Sequence, residues 1–413
     1  MLSTHTCPLA QLGGWETGGM NVYVRELSRE LARRGALVDI FTRRQDPTLP
    51  VVVELAPGAR VVHLDAGPAR HLDKYEVLEY LPDLACSMQR FRALEGVSYD
   101  LIHSHYWLSG RLAAIFKERW NVPVVAMFHT LGRGKMRAPL ARAEREDPVR
   151  VEIEQRTMQI ADRVVAATPA DRAAMIRDYG ACQGALTVIP CGVDTSLFRP
   201  RSRARARRRL GLGDERVLLF VGRIQQLKGI DLLLRAAAEL ARDGEPLKVL
   251  VVGGIPRFPD GRVSPEQAEL RRLVALAQKL GIEQQVQFVG AVQQAQLPAY
   301  YAAADVTVVP SWYESFGLVA LESMACGTPV VAARVGGLAS LVRDGVTGYL
   351  AAWRDPRLYA ERIRDACRPA TRRAMGRAAR ARAEQYSWGG VAEQILELYQ
   401  ALLDSARTAS ARR

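Results

Sequence analysis

Short runs rich in β-branched residues alternate with longer amphipathic stretches along this chain, and the alternation starts twice. Strand followed by helix, repeated, builds a parallel sheet covered by helices, because a parallel strand can be reached only through a long crossover. In the first half, residues 36–42, 60–64, 100–105, 122–128, 163–167 and 186–190 read as strands. Helical spacing of apolar residues marks 22–34, 75–94, 109–120, 149–161 and 169–179. The second half restarts with strands at 216–222, 247–253, 286–289, 306–310 and 330–333 and helices at 230–243, 265–280, 294–303 and 318–325. Three further helical segments follow from Pro356 onward. The stretch 194–209 holds Pro200 and a run of arginines, and the domain junction is placed there. With 413 residues, two α/β domains of about 200 residues each suit the chain better than one core.

The opening of the chain fits this pattern poorly. A first strand of a doubly wound sheet wants about five residues before its loop, and only Met1, Leu2 and Ser3 precede Thr4-His5-Thr6. Either the innermost strand is short or the true start lies upstream, and the second explanation is preferred.

Composition is that of an ordinary globular enzyme, with 48% hydrophobic and 24% charged residues. The longest apolar stretches, 217–221 and 249–252, are strand-sized and far short of a membrane span. No secretory signal stands at the start, so a cytoplasmic protein is expected. The net charge of +13 can signal nucleic acid, anionic lipid or a phosphorylated substrate. Only six of the 57 basic residues are lysine, which looks like a compositional habit. The run 201–209 reads as a solvated linker or first helix turn without the aromatic residues that stack bases, and nucleic acid is not expected. Peripheral contact with acidic membrane stays open, as does a homodimer. Where arginine serves so widely, a retained lysine hints at a need for a compact ammonium; Lys74, Lys135 and Lys228 all fall in motif regions. Cys7, Cys86, Cys182, Cys191, Cys326 and Cys367 show neither a CxxC pair nor zinc-ligand spacing, and buried reduced thiols are expected.

Three motifs carry chemistry. The first, Gly13-Gly14-Trp15-Glu16-Thr17-Gly18-Gly19-Met20-Asn21, is a glycine-rich loop ahead of an amphipathic helix, which lets backbone and helix N-terminus approach a phosphate. It is not GxGxxG, so dinucleotide binding is weakly supported. The second, Gly222-Arg223 with Lys228-Gly229, places two cations just past a strand end, where open α/β sheets bind ligands. The third is Glu314-Ser315-Phe316-Gly317-Leu318-Val319-Ala320-Leu321-Glu322. One acid sits at a loop end and the other about a turn into a helix, so that one can reach a sugar ring and the other a ribose diol. The N–H groups between them face phosphate. Each motif alone has a plain reading as a turn, a pair of surface charges or a helix start with favourable acids.

Together, GGMNVYV, FVGR(x4)KG and ESFGLVALE resemble the family 4 retaining glycosyltransferases of GT-B fold, over essentially the whole chain. Within that family the chain resembles the branch holding D-inositol-3-phosphate glycosyltransferases and sucrose-phosphate synthases. The resemblance implies two Rossmann-like, doubly wound parallel-sheet domains facing across a cleft. It divides the chain into 1–195, which would bind acceptor, 196–385, which would bind the nucleotide sugar, and a helix at 386–413 returning to the first domain. It implies that Arg223 and Lys228 hold the donor diphosphate beside Gly18 and Gly19. Glu314, with Ser315, Phe316, Gly317 and Leu318, would hold the transferred sugar and phosphates, Glu322 the ribose, and Val292 the base. His129 would line the reaction centre, and with Arg223, Lys228 and Glu314 it completes the catalytic set. For the acceptor it implies Asn21, Lys74, Tyr106, Thr130 and Arg150, with His5 and Gln11 nearby. The loop Leu131-Gly132-Arg133-Gly134-Lys135 is instead similar to that of sucrose-phosphate synthases, in which Lys135 would meet a hexose phosphate.

The implied reaction moves a sugar from a nucleoside diphosphate sugar, preferably a UDP-sugar, to a phosphorylated polyol or sugar with retention. No cofactor or metal is expected, since no DxD-type acidic pair stands where a metal would act. A lipid-directed mannosyltransferase of the same family, a sugar-nucleotide epimerase and a non-catalytic sugar-nucleotide-binding protein are the rival readings.

Overall fold

The computed structural model describes residues 1–11, 17–138, 146–254, 264–352 and 354–411. Gly13, Gly14, Trp15 and Glu16 of the glycine-rich motif lie outside the described residues.

Among the described residues, the first half holds seven strands: β1 Val38–Arg43, β2 Val52–Ala56, β3 Ala59–Leu64, β4 Ile102–His105, β5 Val124–Met127, β6 Arg163–Ala166 and β7 Leu186–Val188. They pair in the orders β2-β3-β1 and β4-β5-β6-β7, and Leu2 bridges Phe41 of β1 and Ser104 of β4. The chain start is thus the short central strand that joins the two sets into one sheet. Leu2 N donates to His103 O at 2.9 Å and His105 N donates to Leu2 O at 3.0 Å on one side. On the other, Ser3 N donates to Phe41 O and Phe41 N to Met1 O, each at 2.9 Å. Burial pushes the Met1 ammonium down to about 6, against the pull of Asp39.

The second half forms one parallel sheet from β8 Arg216–Val221, β9 Leu247–Val252, β10 Val286–Gly290, β11 Val306–Val309, β12 Val330–Ala333 and β13 Gly348–Ala351. Their order, β10-β9-β8-β11-β12-β13, is the Rossmann 3-2-1-4-5-6, with its reversal between β8 and β11. Near-continuous Val and Leu runs make the central strands, as burial on both faces requires; Val217, Leu218 and Leu219 are all fully buried.

The chain passes between the halves near Val193 and again near Tyr386, and the two passages touch: Val193 N donates to Tyr386 O at 2.7 Å. Beyond the second passage the helix Trp388–Ala411 lies against the helix Gly19–Arg33 of the first half. Trp388 meets the Tyr23 ring edge-on at 5.5 Å, Arg34 Nη2 donates to Gly389 O at 3.1 Å, and Tyr399 OH lies 2.7 Å from His103 Nδ1. Among the described residues, no helix is long and apolar enough to cross a membrane.

Four expectations change. The sheet of the first half is not wholly parallel: β2 runs antiparallel to β3, through a turn at Pro57-Gly58. Only one face of this edge strand is partly covered, although four of the five residues of its sequence VVELA are apolar. The expected helix 75–94 is two helices, Lys74–Glu79 and Leu81–Glu95, because Pro82 can serve only a first turn. The arginine run follows the helical one of its two readings, as Arg203–Arg209, but it is not wholly solvated: Arg207 is buried, with Nη2 2.7 Å from Asp305 Oδ2. Of the six free thiols, Cys86 and Cys182 are exposed.

Candidate active site

One cleft of about 660 Å³ is lined from both halves by the ends of these strands. In each sheet, strands on either side of the order reversal send their loops apart and leave a crevice, which is where open α/β sheets take ligands.

In the second half the crevice lies between β8 and β11. After β8 come Gly222 and Arg223, then a single turn Gln226–Lys228 that ends on Gly229 in the left-handed region at φ +67°. A Cβ on Gly229 would lie 2.2 Å from Pro310 O, so only glycine lets this loop meet the one following β11. Trp312 N donates to Leu227 O at 2.8 Å across the same junction. Lys228 is thereby brought to Glu314, donating to Oε2 at 2.7 Å. Ser315 and Phe316 are buried, and Gly317 at φ +100° starts the helix Leu318–Ala325. The first N–H groups of a helix have no partner within it, and this end opens on the cleft. Glu322, a turn further on, accepts from Tyr301 OH at 2.8 Å; burial pushes its carboxyl up to about 7 against that bond and one with Gln294. Val292, after β10, also lines the cleft.

In the first half, His5, Tyr106, His129 and Thr130 follow the stub, β4 and β5 to the same opening. Tyr106 and His129 hold φ of +77° and +61°, and Asn121 is the third non-glycine residue with positive φ among the described residues. Asn121 ends a helix, where such a conformation is common; the other two are strained at the cleft, as functional residues often are. His5 stacks on Tyr106 at 4.5 Å between ring centres. His129 Nε2 lies 3.1 Å from His105 Nδ1. Burial pushes His129 down to about 3 and His5, helped by Lys74 and Arg150, to about 3, so both rings are neutral at pH 7.

The cleft therefore gathers His5, Gly18, Gly19, Lys74, Tyr106, His129, Thr130, Lys135, Arg223, Lys228, Val292, Glu314, Ser315, Phe316, Gly317, Leu318 and Glu322. Three residues expected at the acceptor do not line it. Asn21 is fully buried and its amide is spent inward: Oδ1 accepts from Gly18 N at 2.9 Å, and Nδ2 donates to Thr6 Oγ1 and Cys7 O at 2.8 Å each. It fixes the loop end that carries Gly18. Arg150 is also fully buried, donating to Tyr106 OH at 3.0 Å, Thr130 O at 2.7 Å and Glu154 Oε1 at 2.7 Å. It braces Tyr106 and Thr130 from behind. Gln11 is exposed, with its carbonyl accepting from Thr17 Oγ1 at 2.9 Å.

The structure adds residues that the motifs do not name. Gly336 and Gly337, after β12, press against the Glu314–Phe316 backbone: a Cβ on Gly336 would fall 1.9 Å from Glu314 O, and one on Gly337 2.3 Å from Ser315 O. A double glycine just past a strand is a signal of close backbone approach that the sequence does offer. Asp171 and Tyr313 offer none, since they act across the two halves: Ser315 Oγ donates to Asp171 Oδ2 at 2.6 Å, and Leu131 N donates to Tyr313 OH at 3.0 Å. Glu146 enters the cleft beside Lys74 and Lys135.

The comparisons with known proteins point the same way. The family model described as Glycosyltransferase Family 4 matches residues 17–197, and that described as Glycosyl transferases group 1 matches residues 202–382. The chain is 45% identical over 414 residues to D-inositol 3-phosphate glycosyltransferase 2 of Catenulispora acidiphila, covering 98% of this chain and 95% of that protein. It is 45% identical over 406 residues to D-inositol 3-phosphate glycosyltransferase of Streptosporangium roseum, covering 96% and 92%. Among solved structures, sucrose-phosphate synthase from Thermosynechococcus elongatus matches with a TM-score of 0.90 at 37% identity, over 98% of both chains.

Proposed function

This chain belongs to family 4 of the glycosyltransferases, with the GT-B fold, and from that premise we propose that it transfers a sugar from a UDP-sugar to a hydroxyl of a phosphorylated polyol or sugar, with retention. One observation carries the reading: a single cleft holds Arg223 and Lys228 beside Glu314 at the switch point of one sheet, and Lys74 and Lys135 at the mouth of the other. The first group suits a diphosphate and a sugar ring, the second a phosphate on the acceptor. The names of the curated relatives specify inositol 3-phosphate, and the likeness to sucrose-phosphate synthase keeps hexose phosphates in view.

In this reading Arg223, Lys228 and the N-terminus of the helix Leu318–Ala325 take up the charge developing on the departing diphosphate. They supply what a metal would otherwise bring, so turnover is expected without added divalent cation. A neutral His129 with so low a pKa is too weak a base at pH 7 to take the acceptor's proton. We assign that proton to the leaving diphosphate, on the face from which it departs. Contacts across the cleft exclude water that would hydrolyse the donor.

A mass-spectrometric screen of UDP-, ADP- and GDP-sugars against inositol phosphate and hexose phosphates tests this. A glycosylated phosphate product is expected from a UDP-sugar. Consumption of UDP-GlcNAc with no acceptor supports the epimerase reading instead. Liposome binding that weakens with salt, with transfer to lipid, supports the mannosyltransferase. An inverted product, or a strict need for divalent metal, sinks the mechanism.

Glu322 gives a second expectation. A carboxylate accepts two ribose hydroxyls better than a carboxylic acid does, and this one titrates at about 7. Donor affinity should therefore rise as pH rises through 7, while the group loses its proton. Glu322→Ala should raise the donor KM about tenfold with little change in kcat, and flatten that pH dependence, as loss of charged hydrogen bonds implies. Initial rates at varied donor concentration from pH 6 to 8 check both, and an unchanged slope in the variant rules the role out.

A further inference from the structure

Glu146 is the residue at the acceptor end that neither the motifs nor the family resemblance explains. Its carboxylate receives Lys74 Nζ at 3.1 and 2.9 Å on its two oxygens, and Lys135 Nζ at 2.9 Å on Oε1. Arg150 Nη1 lies 2.9 Å from the same Oε1. From behind, Tyr75 OH donates to Oε2 at 2.9 Å while accepting from Asp147 N at 2.8 Å. The Glu146 side chain is 3% exposed, against 17% for Lys74 and 15% for Lys135. One anchored anion thus stands behind two ammoniums that reach further toward the cleft.

Two readings of such an anion differ in sign. It could occupy the place of the acceptor's phosphate and compete with it, or it could hold the cations in place to receive it. Geometry favours the second. The Tyr75–Asp147 anchor fixes the carboxylate on the wall, and withdrawing it would leave Lys74, Lys135 and Arg150 repelling one another with little solvent between them. An ammonium has three donors, so a bond to Glu146 sets its direction without exhausting it.

We infer that Glu146 is a positioning residue for the acceptor: it holds Lys74 and Lys135 as a pair aimed into the cleft to receive the acceptor's phosphate. The inference rests on the phosphorylated-acceptor reading above. Titration behaviour agrees with it. Lys135, faced by Glu146, Arg150 and Lys74, is pushed by burial down to about 7, and of these neighbours only Glu146 raises it. Burial would lift the Glu146 carboxyl, but Lys135, Arg150 and Lys74 outweigh it and hold the group well below the usual carboxylate range. Removing the carboxylate therefore lets Lys135 lose its proton at lower pH, and a neutral amine does not balance a phosphate dianion.

The test compares wild type, Glu146→Gln and Glu146→Asp with inositol 3-phosphate, hexose phosphates and their phosphate-free parents. In wild type, kcat/KM for the phosphorylated acceptor should fall as pH rises through about 7, as Lys135 discharges. Glu146→Gln should raise the acceptor KM about tenfold or more at pH 7, as expected when a charge-assisted contact is lost. Its donor KM should stay within about twofold of wild type, and its alkaline fall should move to lower pH. Glu146→Asp, which keeps the charge on a shorter arm, should lie between the two. An acceptor KM that stays put or drops in Glu146→Gln overturns the inference, the drop pointing to a competitor. Equal damage to donor and acceptor kinetics, with no rescue by aspartate, also overturns it. Should the glutamine variant not fold, the aspartate variant is judged alone, by the same split between acceptor and donor KM. If wild type itself shows no preference for phosphorylated acceptors, the broader reading fails; a preference kept in full by Glu146→Gln sinks only the role of Glu146.

Discussion

Replacing Lys228 by alanine lowers kcat by about a hundredfold or more at saturating substrates, with the fold intact. The reasoning runs from geometry to charge. Lys228 and Arg223 stand where the sheet order reverses, and Lys228 is fixed by its 2.7 Å bond to Glu314. When the glycosyl bond breaks, the diphosphate gains negative charge, and preoriented donors stabilise that state more than the ground state. A hundredfold corresponds to about 2.7 kcal/mol of lost transition-state stabilisation. The alanine change does further harm by leaving Glu314 without its ion-pair partner. Arginine at 228 should rescue little, because a wide planar guanidinium cannot sit where a compact ammonium does. Arg223→Ala should behave similarly. The check is kcat from initial rates together with donor affinity by calorimetry; a loss of less than about fivefold in both variants would place the diphosphate elsewhere.

Gly336→Ala cuts kcat/KM for the donor by about a hundredfold, although the residue itself bears no functional group. Its φ of +44° is a conformation that strains any L side chain. The larger effect is steric, since the new Cβ would lie 1.9 Å from Glu314 O. Backbone cannot swing aside as a side chain can, so the Glu314–Gly317 segment must move by an ångström or more. A displacement of that size at a reacting centre costs about a hundredfold. Gly345 supplies the control, having φ of +75° and no atom within 4 Å of the place its Cβ would take. Gly345→Ala should share the strain and leave the kinetics nearly unchanged. Circular dichroism with steady-state kinetics on both variants separates the effects, and equal kinetics would refute the steric argument.

Much of the architecture can be read from period and punctuation. Helices Pro169–Tyr179, Pro265–Leu280 and Leu318–Ala325 begin and end where the sequence places them, since proline and glycine mark starts and ends by a local mechanism. Strand β2 is not legible in this way, because Glu54 interrupts its short apolar run and nothing local says that it turns back antiparallel on β3. Nor is the burial of Arg207: whether an arginine in a basic run is solvated or buried depends on Asp305, nearly a hundred residues away in the chain. The site divides along the same line. Residues that reach the cleft from strand-end motifs, such as Arg223, Lys228 and Glu314, are visible in their spacing. Asn21 and Arg150 are of types that suit a phosphate, yet each spends its donors on the backbone and side chains that shape the cleft. Glu146 escapes notice in the sequence because an acid just ahead of a helix is most simply a capping group.

The doubled passage of the chain between the halves bears on how they can move. A single linker permits tilting, twisting and sliding, but Val193 and Tyr386 are stitched side by side by a 2.7 Å hydrogen bond. Two seams so close define a spine, about which the halves can swing like the covers of a book while shear and translation are resisted. The contacts from Leu131 to Tyr313 and from Asp171 to Ser315 form clasps between the covers. Opening about that spine would part the clasps together, and closing would bring the two linings of the cleft back to the same facing positions.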